Sequence, residues 1–158
     1  MATFQSLQMQ PTSRYPVSGP GMGGRSLKVE RAEINLSALG ALASGDVVQL
    51  FKLHPKFRVR SAFVKVEAAA GAGVTYTVGD TGGGGAAADP ARYFASASAA
   101  ATGSNVTMAD SGRDFLTSPN TPGGKGVYTI ATLTIGGATT NATGRIIVVI
   151  DGYIEEPA

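Results

Sequence analysis

The sequence predicts an all-β protein, a β-sandwich or jelly-roll-like fold that carries an extended N-terminal arm. Seven or eight short segments either alternate apolar and polar residues or run continuously apolar, and glycine-rich turns separate them. Helical spacing is confined to Leu36, Leu39 and Leu42, where Gly40 and Gly45 allow only a short helical turn or an ordered loop. Glycine supplies 22 of 158 residues, roughly twice its average share. A chain of this length buries about 68–70% of its unfolded surface, enough for one domain with its own core. It therefore needs no disulfides, and there are 0 cysteines.

Taken in order, residues 1–26 form the arm and residues 27–158 the sandwich domain. The arm holds Pro11, Pro16 and Pro20 and a glycine run from Gly19 to Gly24, which deny it a helix or an inner strand. Its apolar residues Phe4, Leu7, Met9 and Tyr15 leave two readings, a disordered tail or an arm docked on a neighbouring subunit. The stretch from Leu27 to Ile34 alternates, then slips phase near Arg31 and Ala32, as at a bulge or a sheet edge. Asp46 to Leu53 is apolar in both phases, as in a strand covered on both faces, and His54-Pro55 ends it. In FRVRSAFVKVEA, from Phe57, the buried phase switches near Ser61, which signals a bulge. The turn AAAGAG and the strand VTYTV then predict a hairpin.

Gly79 to Ala91 reads as a flexible connection, and DPARYF, Asp89 to Phe94, as the return to order. SNVTMA is a short strand, GVYTIATLTI an alternating one. GRIIVVIDGYIEE is continuously apolar from Ile146 to Ile150, the mark of a central strand.

Composition narrows function mainly by exclusion. Thirteen Lys+Arg against 11 Asp+Glu give a formal +2, and only 15% of residues are charged. That low charge suits contact with other protein, although a turn-rich β domain accounts for the glycine equally well. No apolar run reaches the roughly 18 residues of a membrane helix, and no basic-then-apolar secretion signal is expected at the N-terminus. Without cysteine there is no thiolate metal site or thiol nucleophile. His54 is the sole histidine, so neither a zinc site nor a triad is expected, and no cofactor is implied. GDTGGGG lacks the lysine and following helix of a phosphate-binding loop. Asp80, Asp89, Asp110 and Asp114 lack the spacing of a calcium loop. Asp89 and Arg92 are placed for a local ion pair. Lys52, Lys56, Arg58, Arg60 and Lys65 make a basic cluster, read as a solvated strand face or as a site for an acidic protein surface rather than nucleic acid.

The run "NLSALGALASGDVVQLFKLHPKFRVRSAFVKVEAAAGAGVTYTVGDTGGGGAAADPARYF", with the closing "GRIIVVIDGYIEE", resembles small structural proteins of tailed bacteriophages, of the head decoration or cement type. In these a strand like SGDVVQLFKL precedes a strand pair, a TVGD loop and a DPARYF re-entry. The resemblance covers about Asn35 to Phe94 and the last dozen residues. It implies a β-sandwich virion protein, made in the host cytoplasm, that sits on the capsid exterior as a homotrimer against the major capsid protein lattice. Enzymatic activity, nucleic-acid binding and membrane binding are not implied. A head–tail connector, tail or head-fibre role is the alternative within virions. A carbohydrate-binding sandwich is the alternative outside them, disfavoured by 0 Trp and 5 Tyr. The expected partner contacts are the arm at Phe4, Leu7, Met9 and Tyr15; the basic strand at Lys56, Arg58 and Arg60; and the loop bearing Asp80, Asp89, Arg92 and Tyr93.

Overall fold

Nine strands and one four-residue helix form two sheets in the computed structural model, which describes residues 1–5, 27–54, 57–82, 87–107 and 128–154. The strands are β1 (Thr3–Gln5), β2 (Leu27–Asn35), β3 (Val47–Leu53), β4 (Phe57–Ala68), β5 (Val74–Asp80), β6 (Asp89–Ser98), β7 (Asn105–Thr107), β8 (Thr129–Gly137) and β9 (Arg145–Ile154), with α1 (Leu36–Leu39) after β2. One sheet has the order β1-β3-β8-β5-β6 and the other β2-β9-β4-β7. Alternate residues of both sheets meet in one core, with Val48, Leu50, Tyr76, Val78 and Leu133 on one side and Ile34, Val64, Val66, Ile146, Val148 and Ile150 on the other. The all-β sandwich expected from the pattern is the observed architecture.

The expected β4–β5 hairpin is not formed. β4 pairs with β9 and β7, whereas β5 pairs with β8 and β6 in the opposite sheet. Each strand has one apolar face, and a hairpin would turn both faces the same way. Crossing the end of the sandwich instead lets Val64 and Val66 oppose Val74, Tyr76 and Val78 across the core. Gly71 (φ 128°) and Gly73 (φ 71°) make that crossing. It is pinned where the Ala70 amide donates to the Ala99 carbonyl (2.8 Å) and the Asn141 amide donates to the Ala70 carbonyl (2.7 Å).

Other expectations resolve at the level of register. The β4 ladder shifts between Val59 and Ser61, which keeps Phe57 and Val59, then Ala62, Val64 and Val66, in the core. β3 is apolar in both phases for the same reason. Its ladder shifts between Gln49 and Phe51, so Val48 and Leu50, then Phe51 and Leu53, all point inward. β2 contains no bulge: it pairs with β9 without interruption from Leu27↔Tyr153 to Asn35↔Arg145. The apparent phase slip arises because Val29 faces outward while Ala32 and Ile34 face the core. β9 lies between β2 and β4, the central place its sequence predicted.

Candidate partner-contact surfaces

Two charged residues expected in a surface loop are buried instead. Asp80 ends β5 and Arg92 lies in β6, and the Arg92 Nε donates to Asp80 Oδ2 at 2.6 Å. The Tyr93 hydroxyl donates to the same oxygen at 3.0 Å, and the Gly82 amide donates to Oδ1 at 2.8 Å. Arg92 Nη2 donates to the Ala87 carbonyl at 2.9 Å. Burial and the Asp80 charge push the Tyr93 phenol well above its ordinary pKa. Asp80, Arg92 and Tyr93 thus fasten both ends of the glycine-rich connection from inside, and Asp80 is the ion-pair partner of Arg92 where Asp89 was expected. Asp89 Oδ1 instead accepts from the Ala91 amide at 2.9 Å. Gly79 permits the arrangement, because a Cβ there would sit 1.9 Å from the Asp89 carbonyl oxygen.

The outer face of the four-stranded sheet joins exposed apolar groups to charged ones. Val29 is 57% exposed and Phe63 37% exposed. Between them run Ile147 and Val149 of β9, which face away from the core but stay buried under their neighbours. Arg145 bridges the three strands, donating to Glu33 of β2 at 2.8 Å and lying 3.1 Å from Glu67 of β4. Those carboxylates hold the Arg145 guanidinium above its ordinary pKa, Glu33 most strongly. Arg60 pairs with Asp151 at 3.0 Å, and Asp151 also accepts from the Ser61 hydroxyl. Lys65 pairs with Glu67 at 3.6 Å. Of the basic cluster read from the sequence, Arg60 and Lys65 are therefore paired with acids of β9 and of β4 itself, and Lys52 lies on β3 in the other sheet. Arg58 lies opposite Tyr153 in the ladder. Val29, Ile147 and Val149 were not singled out from sequence, although the unbroken apolar run of β9 required cover for its outward phase.

At one end of the sandwich, a cleft of about 450 Å³ opens between the sheets, lined by Lys28, Glu30, Phe57 and Ile154 on one side and Lys52, His54 and Tyr128 on the other. His54 meets the Tyr128 ring edge-on, with centroids 5.6 Å apart. Burial raises the Glu30 pKa, and Lys28 opposes that rise. No group of three or more potential metal ligands occurs among the described residues, and no helix there is long and apolar enough to cross a membrane.

The start of the expected arm is part of the sandwich. β1 pairs in parallel with β3, Thr3↔Val47 to Gln5↔Gln49. Asp46 secures it, Oδ1 accepting from the Ala2 amide at 2.8 Å and Oδ2 from the Ala43 amide at 2.9 Å. Those two bonds hold the Asp46 carboxyl below its ordinary pKa. Phe4, expected on a neighbour, packs against the core of its own chain, because β3 offers an open edge beside that core. Leu7, Met9, Tyr15 and Lys56 lie outside the described residues.

Three solved structures share this fold. A chain of the capsid of Ralstonia phage GP4 matches with TM-score 0.65 and 20% identity, covering 99% of this chain and 100% of that one. A chain of the acidic stable capsid structure of Helicobacter pylori bacteriophage KHP30 matches with TM-score 0.56 and 14% identity, over 84% of this chain and 92% of that one. A chain of the cyanophage Pam1 capsid asymmetric unit matches with TM-score 0.55 and 19% identity, over 92% and 96% respectively. No protein-family model and no curated protein matches the sequence.

Proposed function

We propose that this chain is a non-enzymatic virion structural protein that binds the outside of a phage capsid as a homotrimer and stabilises the shell. The observation that carries this reading is the two-way coverage with the chain from the Ralstonia phage GP4 capsid, 99% of one and 100% of the other, so the likeness runs along nearly the full length of both chains. The outer face of the four-stranded sheet supports it further. Its apolar stripe at Val29 and Phe63, rimmed by paired charges, has the make-up of a modest protein contact repeated many times on a lattice. Arg58 and Arg60 of β4 are the described residues proposed to join that contact, and Asp89 of β6, in the other sheet, is proposed as a separate partner contact; Leu7, Met9, Tyr15 and Lys56 are proposed as partner contacts from the sequence alone.

The test is to add purified protein to particles assembled without it and to map its position by electron microscopy. Many copies spread over the head are expected. Density confined to the tail or to one vertex would replace this reading with a connector or fibre role.

A further inference from the structure

We propose that the strand Thr3–Gln5 of one copy docks on the β3 edge of a second copy, so that neighbouring subunits exchange β1. This inference concerns self-association and does not depend on the capsid role.

Parallel strands cannot be joined by a tight turn, so no local hairpin ties β1 to its own sandwich. The tie is the chain from residue 6 to residue 26, 21 residues that leave an edge of the five-stranded sheet at Gln5 and enter an edge of the four-stranded sheet at Leu27. Packed sheets lie only about 10 Å apart. Twenty-one residues reach roughly 70 Å when extended. A domain of this length has a radius of gyration of about 15 Å. The connection is therefore long enough to reach the same edge of an adjacent copy.

The acceptor is complete without regard to which copy supplies the strand. It consists of the Asp46 carboxylate, which takes the Ala2 amide at 2.8 Å; the Val47 amide, which donates to the Ala2 carbonyl at 2.9 Å; and the core beside β3 that receives Phe4. Exchange preserves each of these contacts and changes only the entropy of the connection. In dilute solution the chain's own strand wins by effective concentration. In an oligomer the neighbouring β3 competes at similar concentration, and strand exchange then links the copies.

Cysteine cross-linking tests this in the full chain, which has 0 cysteines of its own. Thr3 and Val47 are ladder partners, and adjacent strands lie about 4.8 Å apart, within the span a disulfide bridges. The double variant Thr3→Cys/Val47→Cys is oxidised at the highest soluble concentration and run denatured without reductant. Exchange makes covalent dimers and trimers the main species, which revert to monomers at high dilution before oxidation. In parallel, Thr3→Cys and Val47→Cys single variants are mixed, and exchange yields a disulfide between one of each. Double-variant disulfides confined to single chains at every concentration, with no mixed product from the single variants, would overturn the proposal.

Discussion

Asp80 carries two roles at once, ion-pair partner to Arg92 and acceptor for Tyr93 and Gly82. Its side chain is 0% exposed, so removing it breaks a buried ion pair and takes from the Arg92 guanidinium the carboxylate 2.6 Å away. Asp80→Ala is therefore expected to cost about 3–5 kcal/mol, read from urea denaturation of the full chain. Gly79→Ala reaches the same place through the backbone, since the added methyl would meet the Asp89 carbonyl oxygen. A loss of about 1–3 kcal/mol or more is expected, with chemical-shift changes centred on β5 and β6. Tyr76 is the opposite case. Its buried hydroxyl has no hydrogen-bond partner among the described residues, and burial pushes its pKa up to about 12. Tyr76→Phe removes that unmet group and is expected to raise stability by about 1–3 kcal/mol in the same assay. Sequence alone reads Asp80 and Arg92 as surface charges because a lone buried charge is costly. Only their pairing across a folded-back loop makes burial tolerable, and linear spacing does not display that pairing.

At the scale of elements, alternation shows which residues of a strand face inward but not which sheet the strand joins. The inward sets of β4, β5 and β8 and the central place of β9 were legible from Phe57, Tyr76, Leu133 and the run Ile146 to Ile150. The hairpin between β4 and β5 was misread because a glycine turn between two amphipathic strands serves a hairpin and a sheet-to-sheet crossing equally. β1 was hidden for another reason: three residues of an edge strand carry too little pattern, and its anchor, Asp46, lies far along the chain. That anchor makes β1 sensitive to acid. The Asp46 pKa is lowered in the folded state, so its contribution is present above the ordinary carboxylate pKa and is lost as pH falls through the lowered value. As pH falls below the ordinary carboxylate value of about 4 and on through the lowered Asp46 value, β1 is expected to detach before the sandwich unfolds, seen as faster amide exchange at Val47 while β8 and β9 stay protected. Deleting residues 1–20 is expected to leave the sandwich folded but weaken capsid binding. Full-strength binding by that truncation would remove the arm from the contact.

For the whole molecule, two sheets sharing one core were foreseeable from strand count and turn spacing, whereas the neighbours of each strand were not. The proposed trimer predicts a mass three times the 16.0 kDa of one chain by sedimentation, and a monomer at all concentrations would rule it out. The order of strands also bears on how the protein is made. β9 is the last described strand to leave the ribosome, yet it fills the gap between β2 and β4. Until it arrives, the four-stranded sheet lacks its middle, and the edges of β2 and β4 that flank the gap have no strand to pair with. Folding of this kind, dominated by distant pairings, takes about milliseconds to seconds. Synthesis must therefore run through Ile154 before that sheet can close. A nascent chain stalled ahead of β9 is expected to be a target for chaperones, or to aggregate.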